Sequence, residues 1–297
     1  MDGILIIDKP AGLTSHDVVS RVRRILKTKR VGHTGTLDPF ATGVLVVLVG
    51  KATRLAQFLD KDRKEYVAEL QFGWTTDTGD GTGIRNAEAG LRNEELVSKL
   101  DATVWDDVLV KFRGDILQTP PMYSAKKVEG KKLYELAREG KQIERQAVPV
   151  TVHELKILPG EGSTRHMKVC CSAGTYVRTL AEDIGAEIGV GAHLIALRRT
   201  AAGELALSES ITLDALQELA APETTLLPLE RAVSGLTEYD LTDERVGKTR
   251  NGLSTRVHSE GFADGQRVRL VDKEKTLIAI GIYDDAEKSI RPKVVLI

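Results

Sequence analysis

Residues 32–49 read GHTGTLDPFATGVLVVLV, a glycine-rich loop that leads directly into an unbroken apolar run. The apolar run at 44–49 predicts a buried strand. Three glycines within the loop at 32–43 indicate unusual backbone angles or the close approach of another chain. Asp38 stands directly before Pro39, which favours an extended backbone at the aspartate. The stretch therefore predicts a carboxylate on a stiff loop ahead of a strand. Taken alone, the Asp-Pro pair is slightly better explained as a structural turn.

Strands and helices are mixed irregularly on either side of this stretch. Short apolar or alternating runs predict strands, and apolar residues three or four apart predict helices. The predicted strands are 3–7, 44–49, 66–72, 147–158, 166–172 and 193–197, and the predicted helices are 16–27, 53–59, 93–112, 132–139 and 176–188. Thr14 or Ser15 is expected to cap the first helix. This order favours an α+β fold, with a mixed, mainly antiparallel sheet and flanking helices, over a doubly wound sheet.

A domain boundary is expected between residues 220 and 240, where two prolines and a glycine interrupt the pattern. Beyond it, polar turns separate the short strand-like runs 267–271, 277–283 and 293–297. Such spacing is typical of a small β-rich domain. We therefore predict one domain over residues 1–236 and a smaller, barrel-like domain over 237–297.

Charge is nearly balanced over the chain but is distributed unevenly along it. The 297 residues include 42 lysines and arginines against 43 aspartates and glutamates, a formal net charge of -1. This excludes a uniformly basic coat for nucleic acid. However, six cations lie within 21–30, four lysines lie within 126–132, and 204–244 holds ten acids and a single base, Arg231. A charge run is most often only a solvated surface, but together these runs predict a polarised surface with one face able to meet phosphates.

Several familiar chemistries lack their motifs in this sequence. Cys170 and Cys171 are adjacent and offer no disulfide framework, which makes a cytoplasmic location the expectation. No signal peptide and no membrane-length apolar stretch is found, so no membrane partner is expected. There is no phosphate-binding P-loop, dinucleotide fingerprint, calcium loop or zinc-binding HExxH motif. We therefore expect neither a metal nor a cofactor.

The loop at 32–43 resembles the active-site motif of the bacterial tRNA pseudouridine-55 synthases, the TruB family. Other stretches resemble that family in the same order, namely 8–10, 64–66, 76–80, 121–125, 130–134, 172–178, 191–193 and 197–199. The resemblance spans residues 3 to about 200. Beyond residue 240 it is weak and only suggests the small RNA-binding barrel, called PUA-like, that such enzymes often append.

The resemblance implies an isomerase that converts uridine to pseudouridine at position 55 in the T-arm loop of tRNA. The reaction breaks the N1–C1′ bond of the nucleotide, turns the uracil and rejoins it through C5 without redox change. By resemblance, Asp38 is the essential catalytic carboxylate, and Arg178 keeps it ionised in a pocket that water barely reaches. Tyr66 is expected to stack on the flipped uracil. Without the resemblance, Arg178 would be interpreted as a surface ion pair and Tyr66 as a core residue.

Five further residues receive supporting roles from the same resemblance. His33 is expected to occupy or support the space that the flipped base leaves. Tyr176 and the backbone of Leu197 are expected to border the pocket, although Leu197 alone is an ordinary core leucine. Lys9 and Asp80 are expected to support the catalytic groups, with a solvated loop as the alternative for Asp80.

The basic helix at 21–30 and an insertion at about 121–149, which clasps the T-arm loop in the family, are expected to contact tRNA phosphates. We expect a monomer that needs no protein partner. Two other functions stay open at this point. One is an RNA-binding or tRNA-folding protein without essential catalysis, and the other is a guide-RNA-dependent modifier of ribosomal RNA. The sequence also leaves open whether Asp38 attacks the base, attacks the sugar or abstracts a proton.

Overall fold

The computed structural model describes residues 1–59, 63–86, 97, 100, 102–124, 126–128, 130–141, 143–257 and 261–296. Its strands are β1 (Gly3–Lys9), β2 (Val31–Thr34), β3 (Thr42–Val49), β4 (Lys64–Phe72), β5 (Gly114–Gln118), β6 (Lys127–Val128), β7 (Lys131–Lys132), β8 (Val148–Pro159), β9 (Thr164–Cys171), β10 (Ala192–Ala202), β11 (Leu205–Ala206), β12 (Thr237–Asp240), β13 (Thr255–Arg256), β14 (Arg267–Val271), β15 (Leu277–Asp284) and β16 (Ser289–Val295). The α-helices are α1 (Ser15–Ile25), α2 (Ala56–Leu59), α3 (Ala102–Leu109), α4 (Leu133–Arg138), α5 (Val177–Ile188), α6 (Leu213–Glu218), α7 (Leu229–Ala232) and α8 (Asp243–Arg250).

Within these residues, nine strands form the main sheet, and seven of them follow the order β1-β3-β10-β4-β9-β8-β5. Strand β2 pairs with β3, and β11 pairs with β10. The pairings are antiparallel except for the parallel contact between β3 and β10. The structure thus confirms the α+β class and the mainly antiparallel sheet.

Strand β3 lies inside this sheet and is buried on both faces. Its odd-numbered residues from 45 to 49 face a core cluster with α1 and α5, and its even-numbered residues from 44 to 48 face a second cluster. A strand covered on both sides needs apolar residues at every position, which is why its sequence is continuous rather than alternating. Residues 44–49 form this strand as predicted.

Helix α1 starts at a complete capping box. The Thr14 hydroxyl accepts a hydrogen bond from the Asp17 backbone N–H, and the Asp17 carboxylate accepts one from the Thr14 backbone N–H. These two bonds satisfy backbone donors that a helix start leaves without partners. Thr14, rather than Ser15, is therefore the cap, and Ser15 is free to hold the neighbouring loop.

The last five strands form a separate curled sheet in the order β12-β14-β15-β16-β13. This half-barrel fits the expected PUA-like fold. Its apolar residues also enter the second core cluster, where Val271, Ile280 and Val294 join Ile4 and Val46 of the main sheet. The two sheets therefore share a buried layer. The domain limits 1–236 and 237–297 stay a prediction.

The structure differs from the sequence predictions in several strands. Strands β2, β5, β6, β7, β11, β12 and β13 were not predicted, β10 is longer than predicted, and β16 begins four residues before the predicted 293. Strand β2 lies inside the stretch predicted as a loop, and β5 is a short edge strand with an exposed Leu117 that no pattern indicated. Strand β10 has 11 residues and continues well beyond the predicted 193–197. The prediction ended too early because two arginines interrupt the apolar pattern after Leu197. Of the helix predicted at 93–112, residues 93–96, 98, 99 and 101 lie outside the described residues, and α3 begins at Ala102. Among the described helices, none has the length and apolar character that crossing a membrane requires.

Candidate active site

A cavity of about 310 Å³ opens where the 32–43 loop meets strands β4 and β10 and the turn before α5. Its volume is at the lower end of the range usual for ligand pockets. The residues around it are Gly35, Thr36, Leu37, Asp38, Lys64, Tyr66, Ser124, Ser172, Ala173, Gly174, Thr175, Tyr176, Val177, Arg178, Leu197 and Arg199. Five of the eight site residues expected from the resemblance therefore line one cavity.

Asp38 and Arg178 form an ion pair in the cavity wall. The Arg178 Nε donates to Asp38 Oδ2 at 2.8 Å, although 140 residues separate the two in sequence. The other two guanidinium nitrogens donate to the backbone carbonyls of Thr78 and Tyr123, both at 2.7 Å. The Arg178 side chain is only 4% exposed, whereas 35% of the Asp38 side chain reaches solvent through the mouth of the cavity. Arg178 is thus immobilised by three acceptors, and the carboxylate keeps one open side.

Opposing effects act on the acidity of Asp38. Burial raises the pKa of Asp38 above its usual value, and the nearby Asp80 carboxylate raises it further. The charge and hydrogen bond of Arg178 lower this pKa, and so does the charge of Lys9. The net direction is upward, so the cavity holds a carboxylate that is more basic than an exposed aspartate and yet has a cation to support its ionised form. This combination suits a nucleophile or a base.

The loop that carries Asp38 is tied by three hydrogen bonds to the first residue of α1 and to the turn before it. The Ser15 hydroxyl donates to the Leu37 carbonyl at 3.1 Å and accepts from the Leu37 N–H at 2.9 Å. The Gly12 N–H donates to the Pro39 carbonyl at 2.8 Å. A loop held this way has little freedom, which is what keeping a reacting group in place requires.

Lys9 lies directly below this loop and is fully buried. Its ammonium donates to the carbonyls of Leu13 at 2.6 Å, Pro10 at 2.9 Å and Pro39 at 3.2 Å. Burial lowers the pKa of Lys9 to about 8, although Asp38 opposes this shift. The resemblance assigned Lys9 a supporting role, and the structure places it under the loop and outside the cavity lining.

Tyr176 is fixed at the start of α5 by a reciprocal pair of hydrogen bonds. Its backbone N–H donates to the Gln118 side-chain carbonyl at 2.7 Å, and the Gln118 amide nitrogen donates back to the Tyr176 carbonyl at 3.0 Å. Tyr66 at the start of β4 and the buried Leu197 of β10 line the same cavity. Burial raises the pKa of both tyrosines, so both hydroxyls are neutral at physiological pH.

His33 and Asp80 lie outside the cavity lining. His33 belongs to β2, and its ring lies 6.4 Å from that of His16. The buried Asp80 organises its own loop, because its carboxylate accepts hydrogen bonds from the Thr78 hydroxyl at 3.0 Å and the Thr82 N–H at 2.9 Å. The roles expected for these two residues stay predictions.

Sequence reasoning missed four residues of this region: Lys64, Gln118, Glu182 and Arg199. Lys64 and Arg199 line the cavity, and Gln118 anchors Tyr176. Glu182 lies one helical turn after Arg178 and packs against the backbone of Gly79. Lys64 lies in the 64–66 motif and Arg199 in the 197–199 motif, which were signals, but Gln118 and Glu182 have no local pattern that points to a site.

Burial raises the pKa of Glu182 to about 7, an effect that the charge of Arg178 only partly offsets. The folded state therefore binds this proton more tightly than the unfolded chain, and stability is lost as pH rises from about 4.5 through 7. We expect Glu182→Gln to remove this loss. The free energy of unfolding of the variant minus that of wild type should therefore be larger at pH 8 than at pH 5, by about 1–3 kcal/mol, in urea titrations. Glu187→Gln, an exposed neighbour paired with Lys111, is the matched control. An equal difference at both pH values contradicts the prediction.

Comparison with known families gives the class of protein, a pseudouridylate synthase, which is an isomerase. Residues 23–177 match the N-terminal domain of TruB family pseudouridylate synthases, and residues 178–234 match the C-terminal domain of tRNA pseudouridylate synthase B. The chain belongs to the TruB family.

Curated relatives resemble the chain over nearly its whole length. The tRNA pseudouridine synthase B of Solibacter usitatus is 44% identical and covers 95% of both chains. Those of Geobacillus thermodenitrificans and Bacillus subtilis are 41% and 39% identical and cover 98% and 100% of this chain, and 97% and 98% of their own.

Solved structures resemble it as well. A chain of a Cbf5-Nop10-Gar1 complex superimposes with a TM-score of 0.78 at 27% identity. A chain of an H/ACA RNP bound to a substrate RNA that contains 2'-deoxyuridine gives 0.76 at 26%. Both superpositions cover 99% of this chain and 85% of the other chain.

Proposed function

We propose that this enzyme isomerises uridine to pseudouridine at position 55 in the T-arm loop of tRNA, by flipping the base and using Asp38, without a cofactor. Membership of the TruB family supports the reaction, and relatives named tRNA pseudouridine synthase B support tRNA as the substrate. The observation that carries the proposal is the Asp38–Arg178 pair in the wall of a cavity that Tyr66 also lines.

The chemistry of the cavity agrees with an isomerisation. The N1–C1′ bond of the nucleotide breaks, a new bond joins C1′ to C5, the proton of C5 leaves, and N1 gains a proton. No electrons are exchanged with another molecule. The carboxylate of Asp38 serves as the nucleophile or base, and Arg178 stabilises its ionised form at a place where burial disfavours charge.

Flipping a uridine out of folded RNA costs a few kcal/mol, which contacts in the cavity must offset. We propose that Tyr66 stacks on the uracil, and Tyr66→Leu tests this because it removes the aromatic face. Stacking on an aromatic ring is worth roughly 1–3 kcal/mol per base, so kcat/KM should fall roughly 5- to 150-fold. Tyr66→Phe keeps the ring and should stay within about fivefold of wild type. Equal rates for the leucine and phenylalanine variants contradict the stacking role.

The basic run at 21–30 supports a phosphate-contacting face beside the cavity. Arg21, Arg24 and Lys27 are exposed on α1 or just after it, whereas Arg23 donates to the Val31 carbonyl at 2.7 Å. The same helix holds the Asp38 loop through Ser15. RNA bound along this face would thus contact the helix whose first residue holds the loop of the reacting carboxylate, with an affinity that falls as salt rises.

We further propose that the enzyme acts alone, as a monomer in the cytoplasm. A bare tRNA transcript labelled with tritium at uracil C5 tests the proposal, because bond formation at C5 must release the label. Purified enzyme with no other component should release one tritium per tRNA, and a transcript with cytidine at position 55 should lose that release. Tight binding without release would support an RNA-binding protein instead. Release only after a guide RNA is added would support a guided modifier.

A further inference from the structure

One row of residues crosses the main sheet directly below the Asp38 loop. Lys9 of β1 lies opposite Gly43 of β3, Gly43 lies opposite Arg199 of β10, and Arg199 lies opposite Tyr66 of β4. Directly opposed residues present their side chains on the same face of a sheet. The two cations of the row therefore flank a glycine, and Tyr66 is the next side chain after Arg199.

Gly43 brings β3 and β10 unusually close together. A Cβ at this position would lie 2.2 Å from the Arg199 carbonyl oxygen, and the glycine has a φ of +96°. The absence of a side chain also leaves the space above Gly43 to the loop and to the cations on either side.

Lys9 and Arg199 hold opposite ends of the segment that carries Asp38. The Lys9 ammonium donates to the Pro39 carbonyl at 3.2 Å, just after Asp38. The Arg199 Nη2 donates to the Gly35 carbonyl at 2.7 Å, three residues before it. Arg199 Nε donates at 2.7 Å to the carbonyl of Val44, at the start of the buried run of β3. One planar guanidinium thus joins the loop to the central strand.

Burying Arg199 lowers the stability of the fold more than burying an apolar side chain would. Arg199 is 1% exposed, and within the described residues no carboxylate forms an ion pair with it, whereas its neighbour Arg198 pairs with Asp8 at 2.8 Å. A buried cation without a counter-ion lowers stability unless its donors are satisfied, and an apolar side chain would fill the same space without this cost. The guanidinium is also close enough to Tyr66 to lower the pKa of its hydroxyl, against the larger effect of burial.

We propose that Arg199 is a positioning residue for the isomerisation. Its guanidinium fixes the start of the Asp38 loop and the side of the Tyr66 ring from one point, so that the carboxylate and the stacking face keep their separation across the cavity. Lys9 fixes the other end of the loop. The proposal rests on the proposed function, and its substance is that the shape of the guanidinium, not its charge alone, sustains the rate.

Arg199→Lys tests this, because lysine keeps the charge but has a single nitrogen in place of the fork that reaches Val44 and Gly35. A misplacement of about 1 Å can cost about 100-fold in rate. We expect the single-turnover rate of tritium release to fall about 10- to 100-fold, with the Kd for tRNA within threefold of wild type. Arg198→Lys, one residue earlier and on the other face of β10, is the matched control and should keep the wild-type rate.

Each result has a distinct meaning. Wild-type enzyme that releases no label overturns the proposed function before any variant is compared. An Arg199→Lys rate equal to wild type overturns the positioning role, because charge alone would then suffice. A parallel loss of rate, tRNA affinity and thermal midpoint in Arg199→Lys also overturns it, since Arg199 would then serve only the fold. A lower rate with unchanged affinity and thermal midpoint supports it.

Discussion

Asp38→Asn is expected to lower the single-turnover release of tritium from labelled tRNA by about 10⁴-fold or more, as removal of a central reacting group does in other enzymes. Asparagine has nearly the same shape and can still accept the hydrogen bond from Arg178. Its amide carries no negative charge, so it can neither attack nor abstract a proton at a useful rate. Release should be followed for hours, because the residual rate is small.

The binding of tRNA distinguishes lost chemistry from lost structure in this experiment. The Kd of Asp38→Asn should stay within a few fold of wild type, because phosphate contacts dominate RNA affinity. Asp107→Asn, an exposed acid on α3, is the matched control and should release label at the wild-type rate. A rate for Asp38→Asn within tenfold of wild type would show that Asp38 is not the essential carboxylate.

Arg178→Gln is expected to slow the reaction at pH 7 and to change its pH dependence. Burial raises the pKa of Asp38, and Arg178 is the strongest influence against that rise. Without the guanidinium the pKa of Asp38 rises further, so the ionised carboxylate is lost at a higher pH as the solution is acidified. An opposite charge at this distance is worth about 1–3 pKa units, and we expect the acidic limb of the rate profile to move up by about that amount.

The rate at pH 7 should fall about 100-fold or more, because the substitution also removes the guanidinium that holds Asp38, Thr78 and Tyr123 together. Arg178→Lys keeps the charge and should move the acidic limb less than Arg178→Gln. The measurement is the single-turnover rate from pH 5 to pH 9 for all three proteins. Identical acidic limbs in wild type and Arg178→Gln would contradict the role of Arg178. Urea titration provides the control for folding, because breaking a buried ion pair can itself cost 3–5 kcal/mol.

The parts of the fold that could be predicted are those determined by residues adjacent in sequence. Strand 44–49 is unbroken and apolar because both of its faces are buried, and the helix start at Thr14 follows from a side chain that caps its own backbone. Strand β2 could not be predicted, since Gly32 and His33 have little strand preference and β2 exists by pairing with β3. The later part of β10 was missed for a similar reason. Its arginines do not follow a strand pattern, and they fit there because their hydrogen-bond acceptors lie on other strands and loops.

The residues of the candidate site also fall into those that the sequence indicated and those that only the structure revealed. Its motif residues Asp38, Tyr66 and Arg178 were identified from resemblance alone, and the structure brings them to one cavity, while their individual roles stay predictions. Glu182 was not identified, and Arg199 was noted only as the last residue of the 197–199 motif, without a role. Their properties come from burial and from neighbours on other strands and loops, which no short stretch of sequence contains.

The sequence by itself predicted the buried strand β3, which follows from its unbroken run of apolar side chains. The resemblance of its ordered motifs to the TruB family indicated the family and the candidate catalytic groups. The tertiary structure shows the contact between Arg178 and Asp38 that the resemblance implied. It alone decided that two buried cations hold the ends of one loop and that the pKa of that loop's carboxylate is raised on balance. The physical reason is that hydrogen bonds and desolvation act through space. A carboxylate acquires its acidity from the atoms around it, whichever part of the chain supplies them.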